Sequence, residues 1–208
     1  MLNNMDRYLI TQSLLSSWNY IFDCYEGGEE DARASFIKSL HKEPIAPTPE
    51  MQNGINFETE CYRAAVSNVP PRYEWRKGVN AVASRLRGAQ IQVRVSREIA
   101  VDGSVYVIHG VLDALKAGVI YDVKYKNKSF GSLDLAGAYR ESPQHPFYFY
   151  LVPEAYEFIY LVSDGEELYT EIYHPNECCS AAELIRNFIR WLSSEGLLDD
   201  YHKYWRAK

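Results

Sequence analysis

His109-Gly-Val-Leu-Asp-Ala-Leu-Lys-Ala-Gly-Val-Ile-Tyr-Asp-Val-Lys-Tyr-Lys-Asn-Lys128 is the stretch on which the reading of this chain turns. Two apolar runs flank a Lys116-Ala117-Gly118 break, the pattern of a hairpin. The first run ends on a carboxylate, Asp113. The second delivers Asp122 and, two residues on, Lys124. Side chains alternate along a strand, so Asp122 and Lys124 fall on one face. Two acids and a lysine at the ends of adjacent strands suit metal-dependent phosphodiester chemistry.

Working outward, Ile91, Val93 and Val95 alternate with Gln92, Arg94 and Ser96, which predicts a strand with one buried face. Asp102-Gly103 then marks a tight turn before Val105–Ile108, so the hairpin becomes a three-strand meander. On the other side, Ser163-Asp164-Gly165-Glu166 separates two further runs, Glu157–Val162 and Leu168–Tyr173, a second hairpin. Between the two sheet segments the pattern predicts a short helix from Leu133 to about Tyr139. A second helix opens at Ser142-Pro143 and carries Gln144, Phe147, Tyr148 and Leu151.

The flanks read as helices. Residues 1–25 are expected to be mostly helical, with Thr11 and Ser13 as caps and a Leu14, Leu15, Trp18, Ile21, Phe22 stripe. A second helix follows Asp31. Pro44, Pro47 and Pro49 enforce an extended connector. A helix then runs to about Val69, stopped by Pro70-Pro71, and a basic helix covers Tyr73 to Leu86. Toward the C-terminus a long helix starts at Asn176 or Ser180, and Gly196 separates it from a last piece ending in Tyr204-Trp205. The expected fold is α/β: a central mixed sheet of about five strands flanked by helices, in one domain over 1–208. Within it, 1–89 is mainly helical, 90–175 holds the sheet core and the motif helix, and 176–208 is helical.

Length and composition agree with this. A chain of 208 residues with 47% hydrophobic and 24% charged residues can bury a real core and has ordinary globular balance. No apolar run approaches a membrane span, and Met1–Asp6 lacks the basic start and apolar core of a secretory signal, so a cytoplasmic location is expected. Cys24, Cys61, Cys178 and Cys179 lack the spacing of a zinc site and read as reduced thiols. The net charge of −6 disfavours a general nucleic-acid binder, but its distribution does not. Between Arg72 and Arg97 stand seven basic residues and one acid, giving +6 there and −12 elsewhere. Such asymmetry can attract phosphate locally; a solvated helix face explains it equally well.

Magnesium takes oxygen ligands, typically one or two carboxylates completed by substrate phosphate. Asp113 and Asp122 meet that need, and Lys124 beside them can orient water or stabilise developing charge. An Asp-x-Lys triplet alone recurs by chance; its place after a Gly-x-x-Asp strand makes it more specific. Lys126 and Lys128 share its parity and would line the same edge if the strand stays regular, as contacts to a nucleic-acid backbone or as solvated ends. Gln144 and Tyr148, four apart on a helix, share a face and can reach one site.

Taken together these residues resemble the PD-(D/E)XK nuclease superfamily, most closely its RecB-type branch of small CRISPR-associated and phage exonucleases. Gly54-x-x-x-Glu58 resembles the first motif, with Gly54 allowing close backbone approach. Gly110-Val-Leu-Asp113 resembles the second and Asp122-Val-Lys124 the third. Gln144-His-Pro-Phe-Tyr148 resembles the Gln-x-x-x-Tyr motif of that branch, with His145 on another face. The resemblance implies a restriction-endonuclease-like core. It also implies Mg2+ or Mn2+ held by Glu58, Asp113, Asp122 and the Val123 carbonyl, Lys124 acting on water, and Gln144 and Tyr148 supporting site and substrate. Two features depart from it. Glu58 stands where many relatives have His. The late cysteine group of the iron–sulfur branch is reduced to Cys178-Cys179, so no iron–sulfur cluster is expected.

The implied function is a DNA exonuclease of phage or bacterial recombination, repair or defence, with DNA and a recombination or annealing protein as partners and no membrane. Its rivals are a structure-specific endonuclease of the same fold and a non-catalytic nucleic-acid-binding or assembly module.

Overall fold

Among the described residues the alternating apolar segments form six strands: β1 (Arg7–Thr11), β2 (Gln90–Val101), β3 (Ser104–Lys116), β4 (Val119–Tyr125), β5 (Glu157–Ser163) and β6 (Leu168–Tyr173). Among the described residues seven α-helices surround them: α1 (Gln12–Asp23), α2 (Glu29–Leu40), α3 (Pro49–Val66), α4 (Arg76–Leu86), α5 (Gln144–Leu151), α6 (Ala181–Ser194) and α7 (Leu198–Tyr204). This computed structural model describes residues 7–67, 70–71, 73–132 and 134–207. Arg72 of the basic segment, Leu133, the Met1–Asp6 stretch and the helix end expected at Val69 lie outside them. No helix among the described residues is long and apolar enough to cross a membrane.

The sheet is mixed and consistent with a restriction-endonuclease-like core. Its strands run in the order β1-β3-β4-β5-β6, with β2 also paired to β3. β2 lies antiparallel along the whole of β3, from Val101↔Ser104 to Gln90↔Leu115. The other edge of β3 is shared. β1 runs parallel to its first half (Arg7↔Val105 to Thr11↔His109), and β4 runs antiparallel to its last three residues (Ala114↔Tyr121 to Lys116↔Val119). Among the described residues Gly110–Asp113 therefore faces no strand on that side, and the sheet opens into a slot there. The two hairpins close as their turn residues dictate: Asp102-Gly103 and Ala117-Gly118 all have positive φ, the primed-turn geometry that suits strand twist.

Each face of the sheet buries its own apolar layer. On one, Phe57 and Cys61 of α3 and Val79, Val82 and Leu86 of α4 meet Ala114, Val123 and Leu161. On the other, Leu15, Phe36, Phe147, Phe188 and Tyr201, drawn from five helices, meet Ile108, Leu112, Ile120 and Tyr160. Fully burying a side chain of this size is worth roughly 1.5–3 kcal/mol, so both layers are substantial.

Three expectations need correction. The N-terminal region is not helical throughout: Arg7–Thr11 is a strand, which raises the sheet to six. Tyr8 and Ile10 are buried in the helix-rich layer while Arg7 is exposed, a pattern too short to register beside the helical stripe that follows. Ile91, Val93 and Val95 do not share a face. Ile91 packs against the α3/α4 layer, whereas Val93 and Val95 pack against the other. Gln92 has φ +55°, and this left-handed residue rotates the strand between them. Across the ladder β3 makes the same exchange, with Leu112 in one layer and Ala114 in the other. Finally, the helix expected up to Tyr139 is absent from Asp134 to Tyr139, where the chain runs into turns and Gly137 sits at φ +75°.

Candidate active site

The slot brings together residues that the sheet would otherwise keep on opposite sides. From one layer α3 presents Glu58 and, one turn later, Tyr62. From the other α5 presents Gln144 and Tyr148. Between them stand Asp113 on β3 and Asp122 and Lys124 on β4.

Each is placed by a local cause. α3 starts where Thr48 caps it, accepting the Met51 N–H, with Pro49 in the first turn. Further along this helix, Glu58 reaches the slot. Gly54 does not serve close backbone approach within the protein, because a side chain there would meet nothing within 4 Å. It lines an open cleft instead. Of the two motif glycines, Gly110 is the one that matters for packing. A Cβ at that position would lie 2.6 Å from Cε1 of Tyr148, so the second and fourth motifs fit each other through its missing side chain. The Tyr148 hydroxyl then donates to the Val111 carbonyl (2.8 Å), satisfying a main-chain acceptor in the unpaired part of β3. Asp113 closes the slot in the same way: its Oδ2 accepts the Val123 N–H at 2.8 Å, a side chain standing in for a strand.

Asp122 and Lys124 share a face, and their charged atoms lie 2.6 Å apart. Asp122 is 5% exposed. Its Oδ1 accepts from Gln144 Nε2 at 2.9 Å. Its buried Oδ2 meets the Lys124 ammonium without a well-directed hydrogen bond. Burial opposes the Lys124 charge, but Asp122, Asp113 and Glu58 outweigh it and hold its pKa above the usual lysine value. The acids are under strain. Burial first, opposed by Lys124 and helped by Asp122, pushes Glu58 up to about 7. Burial and then the neighbouring Asp122 raise Asp113 as well. One ammonium does not neutralise three carboxylates, and such a site favours a proton or a further cation. Among the described residues no three His, Cys, Asp or Glu side chains are drawn into a ready ligand cluster. Lys124 holds Asp122, and Asp113 is turned to Val123.

Beyond β4 the lysine row is broken. Lys126 follows the last strand residue, with its ammonium 5.4 Å from the centre of the Tyr139 ring; Lys128 lies in a bend and is exposed. His145 is buried on the far side of α5, stacked on Tyr173 (4.2 Å, 4°) and bonded to the Tyr160 hydroxyl (3.1 Å). Tyr160 on β5 pairs with Asp122 on β4 and stacks on Tyr139 at 4.3 Å. Tyr62 and Tyr160 were missed in the sequence because tyrosines set among apolar neighbours read as core. The signals that could have found them were spacing and parity: Tyr62 is four residues after Glu58, and Tyr160 belongs to the register of Asp122. Burial, then Asp113 and Glu58, holds the Tyr62 phenol protonated far above its ordinary range.

No protein-family model and no curated protein matches the chain. Among solved structures it is similar to SSO0001, at 16% identity and a TM-score of 0.48, covering 91% of this chain and 77% of that one. It is also similar to LHK-Exo in complex with dAMP (12%, 0.43, 94% and 90%) and to Scheffersomyces stipitis Rai1 (14%, 0.41, 92% and 62%).

Proposed function

We propose that this chain is a divalent-metal-dependent deoxyribonuclease of the PD-(D/E)XK superfamily and its RecB-type branch, an exonuclease of phage or bacterial DNA processing. The observation that supports this reading most is the meeting of Glu58, Asp113, Asp122 and Lys124 at the slot in the sheet. These residues come from two strands and a helix, and their electrostatics disfavour three free carboxylates.

The donor set fits a hard cation. It is made of oxygens, and Asp122 Oδ2 is buried without a well-directed hydrogen bond. Glu58, Asp113, Asp122 and the Val123 carbonyl would hold Mg2+ or Mn2+, which when bound would polarise the scissile phosphate and make water a stronger nucleophile. Lys124, held as an ammonium by the acids around it, would act by charge and by donating hydrogen bonds to phosphate oxygen or to the attacking water. Gln144 holds Asp122 in orientation. Tyr148 holds β3 two residues before Asp113. Together they keep the acids where the reacting phosphate must sit.

Labelled linear and circular DNA incubated with Mg2+ or Mn2+ provide the test. Linear DNA should be degraded only with the cation, and Asp122→Ala and Lys124→Ala should each abolish cleavage. Cleavage of circles would replace the exonuclease by an endonuclease of the same site. Activity that survives both substitutions would remove the site assignment. The second reading, a fold that binds nucleic acid without cutting it, draws on the absence of a ready ligand cluster among the described residues. It predicts binding but no cleavage with any cation.

A further inference from the structure

Two clefts flank the acid–lysine centre and share a wall. The larger, about 1010 Å³, lies between α1, the 41–48 segment and the first turns of α3, and reaches Glu58 and Lys124. The smaller, about 410 Å³, lies under the 137–144 segment and reaches Gln144, the partner of Asp122. Ser16, Tyr20 and Lys126 border both. Small-ligand pockets span roughly 300–1,000 Å³, so the smaller cleft suits about one nucleotide and the larger several.

The walls of the larger cleft are apolar in an unusual place. Tyr20 is 50% exposed, and Ile45, Met51 and Ile55 are 45%, 57% and 49% exposed. Isolated apolar residues on a surface mean little, but four gathered in one cleft against a charged centre mark a ligand surface. Among the described residues, cationic side chains on the two clefts are few: Lys124 and Lys126, set among Asp23, Glu50, Glu58 and Glu141. A duplex presents phosphates outward and is held by many cations. An unpaired strand also presents base faces, which stack on aromatic side chains and pack against apolar ones.

Building on the nuclease reading of the centre, we propose that the two clefts are one channel for an unpaired nucleic-acid strand. Tyr20 stacks on the base beside the scissile phosphate, and Lys126 contacts the neighbouring phosphate. Tyr20 occupies the wall common to both clefts, so it meets the strand where it crosses the centre. Its ring is anchored on α1 and costs little entropy to order, whereas Met51 and Ile55 adapt to whichever base follows.

The test reads binding, not cutting. Fluorescence anisotropy, with Ca2+ in place of Mg2+, is run on labelled oligo-dT and oligo-rU of roughly 15 nucleotides, the upper end of site sizes for single-strand grooves, and on a duplex of equal length. The unpaired strands should bind more tightly than the duplex, and the tighter of the two names the sugar. Tyr20→Ala should weaken them about tenfold, the effect of one lost stacking contact, at an unchanged melting temperature. Phe22→Ala on the same helix should change nothing. Two lysines predict a shallow salt dependence, with a log–log slope of about −1.4 that falls by about 0.7 in Lys126→Ala. A duplex preference with a steep slope would overturn the proposal, as would wild-type strand binding by Tyr20→Ala. Loss of self-association in Tyr20→Ala with strand binding intact would instead assign the cleft to a second copy of the chain. The nuclease reading fails on separate grounds, if no cation supports cleavage that Asp122→Ala removes.

Discussion

Replacing Gln144 by alanine removes the amide that donates to Asp122 Oδ1 at 2.9 Å, in a place where both side chains are less than a tenth exposed. Hydrogen bonds to charged groups contribute roughly 1.5–3 kcal/mol, and the acceptor left behind stays buried. For a chain of this length each kcal/mol moves the melting temperature by roughly 2–4 °C. Gln144→Ala should therefore melt roughly 3–12 °C below wild type in chelator. If the site binds metal, losing a partner that orients a ligand should also weaken cation affinity or turnover about 10–100-fold. Gln144→Glu separates the hydrogen bond from the packing. When protonated, the introduced carboxyl donates to Asp122 as the amide does; when ionised, it repels it. The folded state raises the pKa of that new carboxyl, so the penalty is small in acid and grows as pH rises past the unfolded carboxylate value. Thermal melts at several pH values, with chelator and with Mg2+, measure both effects. If Gln144→Ala melts with wild type, or if Gln144→Glu loses stability equally at all pH values, Gln144 does not hold Asp122.

Three shorter predictions follow from other contacts. Gly110→Ala should destabilise by roughly 1–3 kcal/mol through overpacking against the Tyr148 ring, and adding Tyr148→Leu should recover part of that loss in a denaturant titration. Burial holds His145 down at about 4 from its ordinary 6.5. The unfolded chain therefore binds a proton that the folded one refuses, and stability is lost as pH falls from 6.5 toward 4, by at most about 3 kcal/mol. His145→Phe should flatten that part of the pH–stability curve. Glu58, raised to about 7, makes the cation-free protein lose stability as pH climbs from 4.5 to 7. Mg2+ should raise the melting temperature more at pH 8 than at pH 6, and Glu58→Gln should reduce the difference.

How much of this was legible in the sequence depended on the range of each signal. The parity of Asp122 and Lys124 is local, a matter of two residues on one strand, and it held to within a 2.6 Å ion pair. The hairpin turns were equally local. The strand Arg7–Thr11 was not, because its partner lies on β3, about a hundred residues away, and five residues before a helical stripe offer no periodicity of their own. Alternation also misled at Ile91 and Val93, since nothing about a glutamine announces the positive φ that changes the face. Gly54 and Gly110 look alike in a motif. Only the packing separates the one that opens onto a cleft from the one that admits a ring.

The pairing of β1 has a consequence for the order in which the molecule can assemble on the ribosome. β1 joins β3 on one edge; on the other its main chain bonds to the 205–207 segment, through Leu9 N–H to the Trp205 carbonyl and Ala207 N–H to the Arg7 carbonyl. Thr11 leads directly from β1 into α1, the wall that carries Tyr20. The segments bearing Glu58, Asp113, Asp122 and Gln144 emerge well before residue 207 does, while β1 can gain its second partner only afterwards. During synthesis these side chains thus leave the ribosome before the 205–207 edge that backs β1 does. A chain still waiting for those residues leaves the outer edge of β1, and with it the entry to α1, without that main-chain partner.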